Sequence, residues 1–287
     1  MTPAHNRYSC RSRALLGCAL VMLLAGCSLR QSAPPQAGDE QQRRIVSLIP
    51  SLTEDLFAIG AGAQVVGVSA HTTYPAAAKR LPVVATSKSL SARRIVQLQP
   101  DLVVGIVSQA NLLEPINQAG IATVTFADDT YDDIFRGVQG LGVLTGRIDA
   151  AQALVSRLRR RTAELRAPLH FRRKPRCLAI LNVSPIQSAG KSSFIAALIS
   201  LAGGTNAAPR RRAYAQYSPE ALAQSDPDLI IADAPAGLMH VLDRVPWREL
   251  RAVRNHHVFL EPDQFNVPGP RYNASLAWLI QKFQAVQ

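Results

Sequence analysis

Cysteine is almost missing from this 287-residue chain: Cys10, Cys18 and Cys27 fall near the N-terminus, and only Cys177 lies beyond them. A lone cysteine closes no disulfide, and Cys177, set in an apolar run, reads as a small buried hydrophobe. Long apolar runs are missing too. Ala14–Ala25 is twelve residues long, against about 20 for a membrane-spanning helix. Catalytic signatures are likewise missing, with no Gly-x-Ser-x-Gly and no His-Glu-x-x-His. Gly190-Lys191-Ser192 resembles the end of a phosphate-binding loop, but Pro185 stands where that loop needs a glycine. The histidines at 71, 170, 240, 256 and 257 show no metal-ligand spacing. Asp128, Asp129, Asp132 and Asp133 lack the glycine and distal glutamate of a calcium loop and read as the acidic first turn of a helix. With no nucleophile–base–orienter set, the residues argue for binding and against enzyme activity.

Acids are also few. There are 20 against 32 lysines and arginines, a formal net charge of +12. The basic residues cluster at Arg157–Arg161, Arg172–Arg176 and Arg210–Arg212. Nucleic acid is one partner for such clusters, but an exported protein does not meet it; anionic membrane headgroups or an anionic ligand fit better. Export is signalled by what the N-terminus does contain. Arg7, Arg11 and Arg13 precede the apolar run, which ends in Leu24-Ala25-Gly26-Cys27. This resembles the lipobox of bacterial lipoproteins and implies a signal peptide over 1–26 and a lipid on Cys27. Residues 27–42, with Pro34-Pro35, Gly38 and several glutamines, then read as anchor and flexible tether.

One phrase occurs twice. Ser91-Ala-Arg-Arg-Ile-Val-Gln-Leu-Gln-Pro-Asp-Leu-Val-Val104 returns 127 residues later as Ser218-Pro-Glu-Ala-Leu-Ala-Gln-Ser-Asp-Pro-Asp-Leu-Ile-Ile231. Each serine is placed to cap a short helix, each proline to stop it, and each apolar run to enter a buried strand. The separation is too long for a solenoid repeat and suggests two similar lobes with a cleft between them. Strands are expected near 44–49, 65–68, 102–106, 123–126, 177–181, 229–232 and 258–260. Helices are expected from Ser51, where Glu54 completes a capping box, and near 112–119, 131–145, 149–166, 192–202 and 271–285. Residues 182–190 read as a loop. Strands alternating with helices argue for an α/β fold with parallel sheets. Leu154, Leu158 and Leu165 stripe the long helix between the two repeats, where a connector would lie. The expected organisation is an N-terminal lobe over 43–145, a bridging helix over 146–167 and a C-terminal lobe over 168–287.

Several segments then carry a resemblance: Arg44-Ile-Val-Ser-Leu-Ile-Pro-Ser-Leu-Thr-Glu54, Gly67-Val-Ser69, Thr73-Tyr-Pro75, Leu98-Gln-Pro-Asp-Leu-Val103, Ser188-Ala-Gly-Lys191, Trp247 and Pro268-Gly-Pro-Arg271. Together, over about residues 43–285, they resemble the periplasmic cobalamin/iron-chelate binding proteins of ABC importers. The resemblance implies two Rossmann-like lobes joined by a single long helix, with a shallow cleft between them. It also implies a monomer without an intrinsic cofactor. Such a protein captures a bulky metal chelate and delivers it to an ABC permease and its ATPase. Cobalamin leads as ligand and a ferric siderophore follows; a sensor or scaffold without a permease is the alternative of another class.

The loops implied to line the cleft contain Pro50, Ser51, His71, Tyr74, Ser188, Tyr214, Asp263, Phe265 and Arg271. By the resemblance, His71 falls at an aromatic cleft position, Tyr214 at a ligand-packing tryptophan and Asp263 at an acid near the ligand. Three positions depart from the family. Ser87 stands at a second tryptophan, Thr86 at the tyrosine that ligates iron in haem-binding relatives, and Val267 at a cleft arginine. Docking is implied for Glu220, which matches a family glutamate that pairs with a permease arginine. Arg93 stands at the other such glutamate, so a differing permease surface, or a substitute acid such as Asp101, is expected.

Overall fold

The computed structural model describes residues 43–86, 89–208, 212–233 and 237–287. The leader, Cys27, the tether, Ser87, Arg210 and Arg211 therefore lie outside the described residues. The first sheet contains β1 (Ile45–Ser47), β2 (Val65–Ser69), β3 (Val83–Ala85), β4 (Leu102–Ile106) and β5 (Ala122–Phe126). Its order is β3-β2-β1-β4-β5, all parallel. Ile45, Val46, Val103 and Val104 are fully buried, as expected of central parallel strands covered on both faces. The covering helices are α1 (Pro50–Ala58), α2 (Ala92–Gln97), α3 (Glu114–Gln118) and α4 (Tyr131–Leu144).

The 19-residue α5 (Ile148–Arg166) follows. The second sheet is built from β6 (Arg176–Val183), β7 (Ile186–Ala189), β8 (Thr205–Asn206), β9 (Tyr214–Gln216), β10 (Leu229–Ala232) and β11 (Val258–Leu260). Its order is β11-β10-β6-β7-β9, with β8 also on β6. Strands β8, β10 and β11 run parallel to their partners, while β7 and β9 are antiparallel. Helices α6 (Phe194–Leu201), α7 (Pro219–Ala223), α8 (Arg251–Arg254) and α9 (Tyr272–Ala285) complete the chain.

The repeated phrase has one structural meaning in both lobes. Ser91 Oγ accepts from the Arg94 amide and Ser218 Oγ from the Ala221 amide, so both serines cap their helices. Asp101 accepts the Arg44 amide at 2.7 Å, and Asp228 accepts the Arg176 amide at 2.8 Å. The same arginines reach back to the helix end, Arg44 to the Leu98 carbonyl and Arg176 to the Ser225 carbonyl, both at distances of 2.7–2.8 Å. Each copy is thus a clamp that fixes the entry of its lobe's central strand, β1 or β6, beside the strand that follows the phrase.

Three local expectations need correction. No capping box forms at Ser51 and Glu54: the N-cap is Ile49 and Pro50 takes the first helical position. Proline's fixed φ and missing N–H suit that position, which moves the N-cap two residues earlier than Ser51. Residues 182–190 are not a loop, because β7 pairs back on the end of β6. Tyr214, expected in a loop, instead begins strand β9, paired with β7.

One apolar cluster runs through both lobes, from Ile45, Leu56 and Phe135 through Leu154 and Leu158 of α5 to Ile199, Leu279 and Phe283. Beside it, the hydroxyls of Tyr131 (α4), Thr162 (α5) and Tyr272 (α9) lie 2.6–3.0 Å from one another. Tyr272 and Asn273 also donate to the Leu158 carbonyl. A shared core and a buried hydroxyl knot join the lobes, and separating them would expose both. The described residues form one compact unit.

Candidate functional site

In an open parallel sheet, ligands bind beyond the carboxyl ends of the strands where the strand order reverses. In the first sheet that point lies between β1 and β4. A cleft of about 410 Å³ opens there, within the range of small-molecule sites. Leu48, Ile49, Pro50 and Ser51 line it after β1; Ser69, Ala70 and His71 at the end of β2; Ile106, Ser108 and Gln109 after β4. Asn266, Val267 and Pro268, after β11, form the facing wall. Gln109 holds the two central strand ends: its Oε1 accepts the Ile106 amide at 3.2 Å and its Nε2 donates to the Leu48 carbonyl at 3.3 Å. Gly269 lies against the Ser51 backbone, where an added Cβ would sit 3.4 Å from the Ser51 Cα.

The lining is neutral. None of its thirteen residues is Lys, Arg, Asp or Glu, and its polar groups are hydroxyls, two side-chain amides and the His71 imidazole. His71 is exposed and has φ 69°, a left-handed backbone that non-glycine residues adopt at some cost.

Charge collects at the side. Arg271 donates to the buried Glu54 carboxylate, Nε to Oε2 at 2.8 Å and Nη2 to Oε1 at 2.5 Å. Its guanidinium lies 4.2 Å from the centre of the Tyr74 ring. The Glu54 hydrogen bond first, then the Glu54, Tyr74 and Asp263 charges, outweigh burial and raise the Arg271 pKa. Tyr214 on β9 keeps much of its ring in solvent, yet the protein crowded around its hydroxyl, and then the Asp128 and Asp129 charges, raise its phenol pKa. Burial, then Asp129 and Asp133, push Asp128 up to about 6. Asp133 itself caps α4 through Thr130, as an acidic first turn should.

Of the expected site residues, Pro50, Ser51 and His71 line the cleft, Tyr74 and Asp263 gather around Arg271, and Tyr214 stands on β9 outside the lining. Two need correction. Phe265 is fully buried, its ring against Trp278. Ser188 is also fully buried on β7. Neither side chain reaches the cleft. Ser69, Ser108, Gln109 and Asn266 were not anticipated; the strand-end rule applied to β4 would have found Ser108 and Gln109. Glu220 and Arg93 occupy the second positions of α7 and α2, both exposed, at equivalent places in the two lobes. Glu220's own amide and the Ser218 hydroxyl hold its carboxyl below the usual range.

The geometry agrees with comparisons to known proteins. A vitamin B12-binding protein of Vibrio parahaemolyticus is 27% identical over 257 residues, covering 87% of this chain and 92% of its own. An uncharacterized ABC transporter substrate-binding lipoprotein of Bacillus subtilis, YvrC, is 27% identical over 242 residues, covering 81% and 77%. The solved structure of the periplasmic haem-binding protein BhuT with two haems superposes with a TM-score of 0.78 at 26% identity, covering 85% of this chain and 98% of that one. Residues 45–265 match the periplasmic binding protein model Peripla_BP_2. With two α/β lobes, one long helix between them in sequence and a cleft at the strand ends, this chain belongs to the periplasmic binding protein family.

Proposed function

We propose that this protein captures cobalamin outside the inner membrane and hands it to an ABC permease driven by an ATPase. The observation that carries the ligand choice is the neutral cleft. Cobalamin presents a rim of carboxamides, which pair with hydroxyls and amides such as Ser51, Ser108 and Asn266. Haem carboxylates and the catecholate or carboxylate ferric siderophores carry negative charge that calls for a cation, and among the described residues beside the cleft Arg271 is already paired with Glu54. Pro50, Ser51 and His71 would touch the ligand, with Tyr74, Tyr214 and Asp263 bounding it. The lobes would span 43–145 and 168–287 around the bridging 146–167. A vitamin B12-binding protein among the relatives supports the same reading, and the lipoprotein relative supports a lipid on Cys27. No residue set for catalysis is part of this reading.

The test is a calorimetric and visible-absorbance titration of residues 28–287 with cobalamin, haem and ferric siderophores. One-to-one, sub-micromolar cobalamin binding is expected. Binding of a ferric chelate instead would move the function to iron import, and binding of none would leave the fold without this ligand.

Glu220 and Arg93 give the two lobes opposite charges at matching places. The cognate permease should therefore present a base toward the C-terminal lobe and an acid toward the N-terminal lobe. Tight docking of the wild-type protein to a permease with arginines at both sites would refute this.

A further inference from the structure

The positive charge is not spread over the fold. Residues 147–176, which contain α5 and its exit to β6, hold ten lysines and arginines against two acids, Asp149 and Glu164. The buried stripe of α5 is Ala151, Leu154, Val155, Leu158 and Thr162. All ten basic residues are exposed. Glu164 is shared by Arg160 and Arg161, and Arg173 pairs with Asp228. Among the described residues, Arg157, Arg166, Arg172 and Lys174 have no acidic partner. None of the ten lines the cleft. A dense, largely uncompensated basic surface on one long helix and its exit segment fits a polyanionic plane better than a single small ligand.

The fold also shows where the preceding chain enters. Arg43, the first described residue, donates to the Leu144 carbonyl at 3.0 Å, just before the start of α5. Helix α5 is about 27 Å long at 1.5 Å per residue, so its basic end is within about 30 Å of that entry. The sixteen residues 27–42 reach about 50 Å when extended. A chain anchored at Cys27 can therefore lay this surface on the membrane that holds it.

We propose that the exposed basic face of α5 and residues 172–176 binds the anionic headgroups of a phospholipid bilayer, seating the protein on the membrane with its cleft free. The membrane location rests on the anchored reading above; the headgroup binding does not depend on the cleft ligand.

The experiment is co-sedimentation of the lipid-free chain, residues 28–287, with vesicles of phosphatidylcholine alone or mixed with phosphatidylglycerol. Retention is expected on the mixed vesicles only, falling as salt rises. The variant R157E/R166E/R172E/K174E should lose at least about tenfold in vesicle affinity. A matched variant, K79E/R80E/R248E/R254E, changes four exposed basic residues elsewhere and should retain most of the binding. Thermal melts establish that both variants fold. Equal retention on neutral vesicles, no retention on anionic ones, or equal losses in the two variants would overturn the proposal. A failed chelate titration with the same preparation would leave it standing.

Discussion

Arg271 closes a two-pronged ion pair on Glu54 across 217 residues of sequence, joining the start of α9 to the first helix of the other lobe. Glu54 is only 2% exposed, so removing the arginine strands a carboxylate away from water. Arg271→Ala should cost about 3–5 kcal/mol of stability, as broken buried pairs do. Adding Glu54→Gln should recover much of that loss, because the stranded charge goes with it. Urea unfolding of the two single variants and the double variant measures this coupling. A loss below about 1 kcal/mol for Arg271→Ala would mean the pair is solvated, not structural.

The two clamps differ in burial and should differ in energy. Asp228 is 4% exposed and accepts from Arg173, the Arg176 amide and Arg251, while Asp101 is exposed and accepts the Arg44 amide. Burial pushes the Asp228 pKa up, but Arg173, the Arg176 amide and Arg251 together pull it below the ordinary value. A depressed carboxyl pKa contributes stability above the unfolded pKa and loses it as pH falls through the folded one. Asp228→Asn should therefore cost about 2–4 kcal/mol at pH 7 and less near pH 3. Asp101→Asn should cost about 1 kcal/mol or less. Equal costs at neutral pH would break the argument.

Much of this was legible in the sequence because it is local. The serine caps, the proline stops and the apolar strands of the repeated phrase each depend on a few adjacent residues. The stripe Leu154, Leu158 and Leu165 likewise marked α5. What escaped depends on distant partners. Glu54 looked like a capping residue because Arg271 is remote in sequence. Phe265 and Ser188 read as loop residues, but Trp278 of α9 packs on Phe265 and Ser188 lies within β7, between β6 and β9. Gln109 carries no sequence mark for bridging two strand ends.

His71 separates backbone cost from ligand contact. Its φ of 69° suits glycine, so His71→Gly should match or exceed wild-type stability, whereas His71→Ala should be about 1 kcal/mol less stable than His71→Gly. Both variants lose the imidazole from the cleft, and both should bind cobalamin more weakly. If the imidazole coordinates the bound metal, the visible spectrum of the complex must also change; an unchanged spectrum limits His71 to the wall. Equal affinity in wild type and both variants would remove His71 from the site.

Glu261 links the second sheet to pH. It follows β11, and its Oε2 is buried without a hydrogen-bond partner. Burial first, then the charge of Asp233, raise its pKa to about 8. A carboxyl with a raised folded pKa is best tolerated protonated. Its contribution is full below the unfolded value of 4.5 and is lost as pH rises through about 8. Asp128, at about 6, adds a smaller loss of the same sign. Wild-type stability should thus decline between pH 5 and pH 9 by an amount on the order of 2–4 kcal/mol. Glu261→Gln keeps a neutral side chain of the same shape at every pH. It should match wild type near pH 5, exceed it at pH 9 and retain the decline due to Asp128 and to Asp55, whose burial and neighbouring Glu54 charge also raise its pKa. Melting curves of both proteins across that range decide the matter: parallel profiles would show that Glu261 ionises freely in the folded protein, and convergence at pH 5 with separation at pH 9 would show that it is held neutral.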